Sequence, residues 1–518
     1  MTSYDFVLVG GGTAGSVLAA RLTEDPDVRV LLLEAGPADG PERMSVPGAW
    51  PTLIGSEVDW GYSTVPQPGL GGAVVPYPRG RVLGGSSAIN ALFHQRGHRS
   101  AIDSWAAAGA GGWGYDELLP YFRRSEHTEG LDPHYRGLEG PMRPERVLPV
   151  KRVSRAALEA FREVGYPISA DLNGADAEGA EWNEVTIVDG VRQSAADAYL
   201  LPALDRPNLT VLTDALVHRL VMSGGRCTGV EYAHGGEVLR AETDGEVVLC
   251  AGAIGSPQLL MLSGVGPADA LQAHGLEPLV DLGGVGANLS DHPLAFVVYS
   301  AARPLPQAGS GTADVVAAVR TDPALLAPNF HVAFADIPLA PPAMQGQSGF
   351  TIAFALLAPR SRGSVTLVSA DPVSAPAIDP GFLNDEQDVS DMLAGLRVAR
   401  AVGGSRAMAP WRMDEVFPGT AVQDAEQLRR SGSVGTYFHP VGTCKMGTDA
   451  ASVVDLRLRV HGVDGLRIAD ASVMPSLPAG NTNATVLAIA ERAAAIIAGR
   501  DQVSEGARQE AIPMETAQ

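Results

Sequence analysis

Cysteine is scarce in this chain. Only Cys227, Cys250 and Cys444 occur among its 518 residues, and no two form a Cys-x-x-Cys pair. So sparse and odd a set argues against a disulfide scaffold or a structural zinc site. It suits a reducing cytoplasm, the expected location, and no metal is expected. Positive charge is short too: 38 Lys and Arg against 59 Asp and Glu leave a formal net charge of -21. That balance argues against nucleic-acid partners and against anionic membrane surfaces. No charge-free apolar run reaches the ~18 residues of a membrane span, and no basic stretch before an apolar core marks a signal peptide. Internal repeats are missing as well. The length exceeds one simple core and suggests about two to four domains.

What is present starts at the N-terminus. Asp5-Phe-Val-Leu-Val9 is an apolar run of strand length. It leads into Gly10-Gly-Gly-Thr-Ala-Gly15 and then Ser16-Val-Leu-Ala-Ala-Arg-Leu22, which reads as a helix. Gly10, Gly12 and Gly15 fill the G-x-G-x-x-G pattern: one for a tight turn, one for approach of a pyrophosphate, one for helix–strand packing. The helix N-terminus offers unpaired N–H groups to phosphate. A second apolar run, Val28 to Leu33, completes a βαβ unit and ends on Glu34, where an acidic side chain takes a ribose hydroxyl. These residues predict a dinucleotide site.

Between Ala35 and Pro78 the chain is rich in Gly and Pro and reads as long connections suited to cover a ligand. In Gly80-Arg-Val-Leu-Gly-Gly-Ser-Ser-Ala-Ile-Asn90 the paired glycines and serines let backbone lie against a large planar or phosphorylated ligand. A helical pattern spans Trp105 to Arg124, and another spans 154–164. Strands are expected at Leu209–Leu212, Leu216–Val221 and Glu246–Cys250. The last of these ends in Ala251-Gly252 before a helix from Ser256 to Leu262, a second place for backbone to meet a dinucleotide. After Pro293 the texture changes: Phe330–Ile337, Phe350–Leu357 and Ser364–Val368 alternate like an antiparallel sheet, and Val389–Val402 is an amphipathic helix. Residues 300–313 and 338–349 are Pro/Gly-rich and are expected to flank a substrate entrance. A final helix is expected from Ala484 to Ala498, with a disordered polar tail beyond it.

Five ordered blocks resemble the glucose–methanol–choline (GMC) flavoprotein oxidoreductases, from residue 4 to about 500. They are the glycine loop through Glu34-Ala-Gly36, the Gly80–Asn90 block, and Gly252-Ala-Ile-Gly-Ser-Pro-Gln-Leu-Leu-Met-Leu-Ser-Gly-Val-Gly266. The C-terminal two are Tyr437-Phe-His-Pro-Val-Gly-Thr-Cys-Lys-Met-Gly447 and Asp470-Ala-Ser-Val-Met-Pro475 through Asn481-Thr-Asn483. The resemblance implies an α/β fold: a Rossmann-type FAD-binding domain built from 1–150, 205–295 and 455–500, with a substrate domain from 151–204 and 296–454. The tail is 501–518. It implies FAD held by Gly10, Gly12, Thr13, Ala14, Gly15, Glu34, Ala35, Arg81, Gly84, Gly85, Ser86, Asn90, Ala91, Val217, Ala251, Gly252, Asp470, Ala471, Asn481, Thr482 and Asn483. Family members that bind FAD covalently use a His where this chain has Ile89, so non-covalent FAD is expected. Choline-oxidising relatives place a Glu after the Asp-His-Pro block; here Leu294 comes after Asp291-His-Pro, which speaks against choline.

By the same resemblance His439 and Asn483 are the pair facing the flavin, with Asn483 preferred to Asn481 two residues earlier. Hydride loss from an alcohol is far easier once its hydroxyl proton is being removed, so the site needs a base. An imidazole of unperturbed pKa about 6.5 is largely neutral at working pH. A carboxamide N–H fixes the oxygen without taking its proton. The Asn481–Asn483 segment is expected to cap the last helix, whose N-terminus then faces the charge on reduced flavin. His94, Phe438 and His331 are expected in the substrate pocket, and Cys444 in packing.

The implied function is FAD-dependent oxidation of an alcohol to an aldehyde or ketone, with O2 slightly favoured over another electron acceptor. The substrate is expected to be a neutral, polyhydroxylated or aryl alcohol, and the protein a monomer or homodimer. A hydroxynitrile-lyase-like flavoprotein using the same His is the alternative. A flavin photoenzyme is disfavoured by the His–Asn pair.

Overall fold

The computed structural model describes residues 4–147, 150–305, 313–339 and 348–501. Its two largest sheets each have seven strands. The first is organised around Tyr4–Val9, which pairs in parallel with Val30–Leu33 on one side and with the second half of Glu237–Leu249 on the other. Leu209–Leu212 and Leu466–Ile468 extend it in parallel at the two ends. Leu8, Val30, Leu32, Val247 and Ile468 have no exposed surface, as expected where both faces of a parallel sheet are covered. The first half of Glu237–Leu249 turns away to pair antiparallel with Arg226–His234, which pairs in turn with Leu216–Ser223. The Arg226–His234 strand is not among those expected from the sequence.

The second sheet runs Arg412–Phe417, Pro293–Ala301, Gly349–Leu356, Phe330–Ala335, Val315–Val319, Gly179–Trp182, with Val434–Thr436 beside the start of Pro293–Ala301. All its pairings are antiparallel. One face carries Val297, Phe330, Phe334, Phe350 and Ile352 into a core shared with Met392, Leu396 and Ala399 of the helix Glu386–Gly404. That helix lies close: a Cβ at Gly395 would sit 2.4 Å from the Phe330 ring, and one at Gly403 2.2 Å from Tyr299.

Several elements differ from expectation. The pattern over Trp105–Arg124 is two helices, Arg99–Ala107 and Tyr115–Ser125, because Gly109 and Gly112 adopt positive φ between them. Ser364–Thr366 pairs with Ala377–Asp379 in a separate two-stranded ribbon rather than joining the large sheet. Alternation reports a half-buried strand without saying which sheet takes it. Of the two Pro/Gly-rich stretches, 306–312 and 340–347 lie outside the described residues, as does the tail beyond 501. Among the described residues no helix is long and apolar enough to cross a membrane.

Candidate active site

The C-terminal ends of the parallel strands open onto a cavity of about 1390 Å³ that reaches the second sheet. Gly10 turns there at φ +104°; a Cβ on it would meet the Cys250 carbonyl oxygen at 2.6 Å. A Cβ on Gly15 would lie 1.9 Å from the Gly10 oxygen, so the helix Thr13–Leu22 rests directly on the turn. At Gly85 a Cβ would meet Gly12 Cα at 2.7 Å; the two glycine loops touch backbone to backbone. Thr13–Leu22 begins with no side-chain cap, which leaves first-turn amides facing the cavity for a ligand. Of the predicted cofactor positions, Gly15 and Gly84 pack the turns behind the wall, and the rest line the cavity. Much of the long connection before Pro78, including Trp50, Trp60 and Tyr62, lies along it.

Two predicted carboxylates are held by backbone. Glu34 accepts from the amides of Gly11 (2.7 Å) and Gly36 (2.8 Å), and burial pushes its carboxyl up to about 7. Asp470 accepts from the Gly252 amide (2.9 Å), the Ser256 hydroxyl (2.6 Å) and the Ser472 amide (2.8 Å). It thereby ties the start of the helix Gly252–Leu262 to the turn after Leu466–Ile468.

His439 stands at the wall where the second sheet meets the cradle. The residue before it, Phe438, is in the left-handed region at φ +66°, a conformation that persists only where surroundings enforce it. Here the enforcing groups are visible. Buried Asp291 accepts from the His439 amide (2.9 Å), Tyr77 (2.7 Å) and Thr436, and Arg79 donates to the Phe438 carbonyl (2.8 Å).

The protonation of His439 is set by its neighbours. His292 Nε2 lies 3.1 Å from the Leu357 carbonyl oxygen, which can only accept, so that nitrogen carries the hydrogen. Burial pushes His292 down to about 3, so the ring is neutral and its Nδ1 is bare. His439 Nδ1, 2.9 Å away, must then donate to it. That leaves His439 Nε2 as a lone pair, and Asn481 Nδ2 donates to it at 3.2 Å. Burial, helped by His292, Arg79 and His331, holds His439 well below the usual imidazole range.

Asn483 is not the partner of His439; the structure brings Asn481 there. The Asn483 carboxamide oxygen instead accepts from Thr13 Oγ1 at 2.9 Å, on the cradle. The last helix starts at Thr482, so Asn481 is its N-cap position, yet its side chain makes no capping bond. It is diverted to the imidazole. Two predicted pocket residues also move. His94 is buried against Glu126 at 3.0 Å, in a cluster with Arg96, Arg136 and Glu184, and is absent from the wall. His331 sits behind Tyr437, its Nδ1 3.4 Å from the phenol oxygen. Phe438 does line the cavity. Sequence reasoning missed His292 as a functional residue: in the Asp291-His-Pro293 motif only the next position, Leu294, carries a family signal.

The GMC oxidoreductase pattern matches residues 4–294 and 359–490. The chain belongs to the GMC oxidoreductase family. Human mitochondrial choline dehydrogenase is 40% identical over 96% of this chain and 90% of the relative. An uncharacterised GMC-type oxidoreductase of Mycobacterium tuberculosis is 41% identical over 96% of this chain and 99% of the relative. Among solved structures, pyridoxine 4-oxidase from Mesorbium loti superposes with a TM-score of 0.90 at 38% identity, covering 95% of this chain and 98% of that one. This GMC oxidoreductase is an FAD-dependent enzyme acting on CH–OH donors. Its cavity fits the cofactor: touching glycine loops admit a pyrophosphate against backbone, and uncapped first turns at Thr13 and Thr482 present amides to it.

Proposed function

We propose that this enzyme oxidises a neutral alcohol with an apolar or aryl body to the aldehyde or ketone, with His439 as base and O2 as electron acceptor. The observation that carries it is the bare Nε2 of His439 at the cavity wall, with the Asn481 amide beside it. An alcohol oxygen seated between them donates its proton to Nε2 and accepts from Asn481 Nδ2. The 3.2 Å contact is at the long limit for such a bond, so the hydroxyl displaces little. When His439 takes the proton, His292 Nδ1 accepts from the resulting imidazolium, and the Leu357 carbonyl keeps His292 from turning. FAD, when bound, supplies the acceptor for the hydride leaving the alcohol carbon. The amides of Gly12 to Ala14, together with Glu34, Asn90 and the Thr482 turn, would hold it. Ile89 on the wall offers no nucleophile for a covalent link, which supports non-covalent binding.

Substrate polarity is read from the wall. Its charged members, among the described residues, are Glu34, Arg79, Arg81 and Asp470. Glu34 and Asp470 belong to the cradle, so among the described residues of the wall no acidic group stands ready for a trimethylammonium head, and Leu294 occupies the wall after Asp291-His-Pro. Likeness to pyridoxine 4-oxidase supports O2 as acceptor. An alcohol panel decides the reading: anaerobic mixing bleaches the flavin, and under air hydrogen peroxide forms in step with the carbonyl product. A flavin that stays yellow with every alcohol would overturn it.

A further inference from the structure

The sheet closing the His439 end of the cavity is packed unequally on its two faces. Toward the helix Glu386–Gly404 it presents bulk, with Phe330, Val332 and Phe334 on one strand and Phe350, Ile352 and Phe354 on the next. Toward the cavity the same strands step down to single methyl groups, Ala333 and Ala335 on one and Ala353 on the other. Ala353 lies directly opposite both Ala333 and Phe296, so the small residues form a continuous floor with Phe296 at its edge. Ala333 and Ala335 also pack with Ala313, Phe93 and Ile337 and keep only 6% and 5% of their surface open, while Ala353 is half-buried. Protein interiors are close-packed, and alanine along this stretch of wall leaves room that larger side chains could have filled. No described residue that this sheet's strands send to the cavity wall is charged. The floor lies beside the base through a short chain of contacts. His331, two residues before Ala333 on the same face, is 3.4 Å from the Tyr437 hydroxyl, and the Tyr437 ring centre is 4.4 Å from that of His439.

We propose that Ala333 and Ala353 are specificity-determining residues, whose small side chains admit an alcohol bearing a broad, flat aromatic body across the floor. This rests on the reading of the site as an alcohol oxidase with His439 as base. Leucine at either position would stand where the ring lies, and a methylene's worth of misfit in an apolar pocket costs roughly 10- to 200-fold in kcat/KM. A small alcohol that never reaches the floor would be spared.

The test uses the FAD-loaded enzyme with Ala333→Leu and Ala353→Leu, compared on 2-naphthalenemethanol, benzyl alcohol and 1-propanol. The naphthyl-to-propyl ratio of kcat/KM should fall at least ~10-fold in each variant. Binding of the unreactive ether 2-(methoxymethyl)naphthalene, read from the visible flavin spectrum, should weaken in parallel. Flavin content and thermal midpoint report folding, and Ala333→Val and Ala353→Val serve if the leucine variants do not fold, with a smaller loss expected. An unchanged ratio and unchanged ether affinity in folded variants overturn the proposal, as does a wild type that prefers 1-propanol. A wild type that oxidises no alcohol defeats the functional reading alone; the ether titration then decides the floor, and failure of the wild type to bind the ether overturns it.

Discussion

Replacing each asparagine in turn separates the two candidates for the partner of His439. Asn481→Ala removes the donor that would hold the substrate oxygen. Loss of one such donor to a developing oxyanion costs about 10²–10³ in kcat. In the absence of substrate that donor rests on the neutral His439 imidazole at 3.2 Å, and because the carboxamide itself carries no charge the expected loss lies near the lower figure, about 100-fold. Asn483→Ala removes only the bond from Thr13 at 2.9 Å. A neutral hydrogen bond contributes about 0.5–1.5 kcal/mol, so FAD affinity should weaken roughly 2- to 10-fold while kcat of the loaded enzyme is kept. Anaerobic stopped-flow bleaching measures the first effect, and titration of apoenzyme with FAD the second. His439→Ala is the control, yellow but without turnover. The geometry is refuted if Asn483→Ala slows bleaching 100-fold while Asn481→Ala leaves it near wild type.

Other consequences concern charge. A base acts in its deprotonated form, and His439 is held well below the ordinary imidazole value, so kcat/KM should stay on its plateau through pH 6.5 and fall only in more acid solution. Arg79→Gln removes a cation that lowers this group, so the acid limb should move to higher pH; a limb that moves down or not at all contradicts the assignment. Leu294→Glu places a carboxylate on the cavity wall and should create competitive inhibition by tetramethylammonium, measured against a neutral alcohol. Arg136 is fully buried and pairs with Glu126, Asp171 and Glu184. Arg136→Met leaves Glu126 to Arg96 and His94 but takes the guanidinium from Asp171 and Glu184, and should cost about 3–5 kcal/mol of stability; a denaturation midpoint equal to wild type would show the cluster to be energetically silent.

The nucleotide cradle was legible because its information is local. Gly10, Gly12 and Gly15 lie within six residues of one another, their spacing reflects one turn and one helix start, and Glu34 closes the same βαβ unit. Strand periodicity likewise exposed Phe330–Ala335 and Gly349–Leu356, since alternation records a sheet with unlike faces. It could not show that Ala333 faces Ala353, because register belongs to a pair of strands.

His439 as the candidate base could be named from its block; its protonation state could not. That state depends on His292, which is 147 residues earlier in the chain, and on a carbonyl from a third segment. Asn481 and Asn483 are equivalent as letters, but they straddle the start of the last helix, so one reaches the imidazole and the other the Thr13 hydroxyl. His94, expected in the pocket, is instead held by Glu126, 32 residues away in sequence and set against it by folding. By itself the sequence determined the family, the cofactor and the cradle, where neighbours along the chain are neighbours in space. Only the tertiary structure decided which nitrogen is bare, which amide faces it and how wide a substrate it meets, because each depends on groups far apart in sequence whose relative position arises on folding.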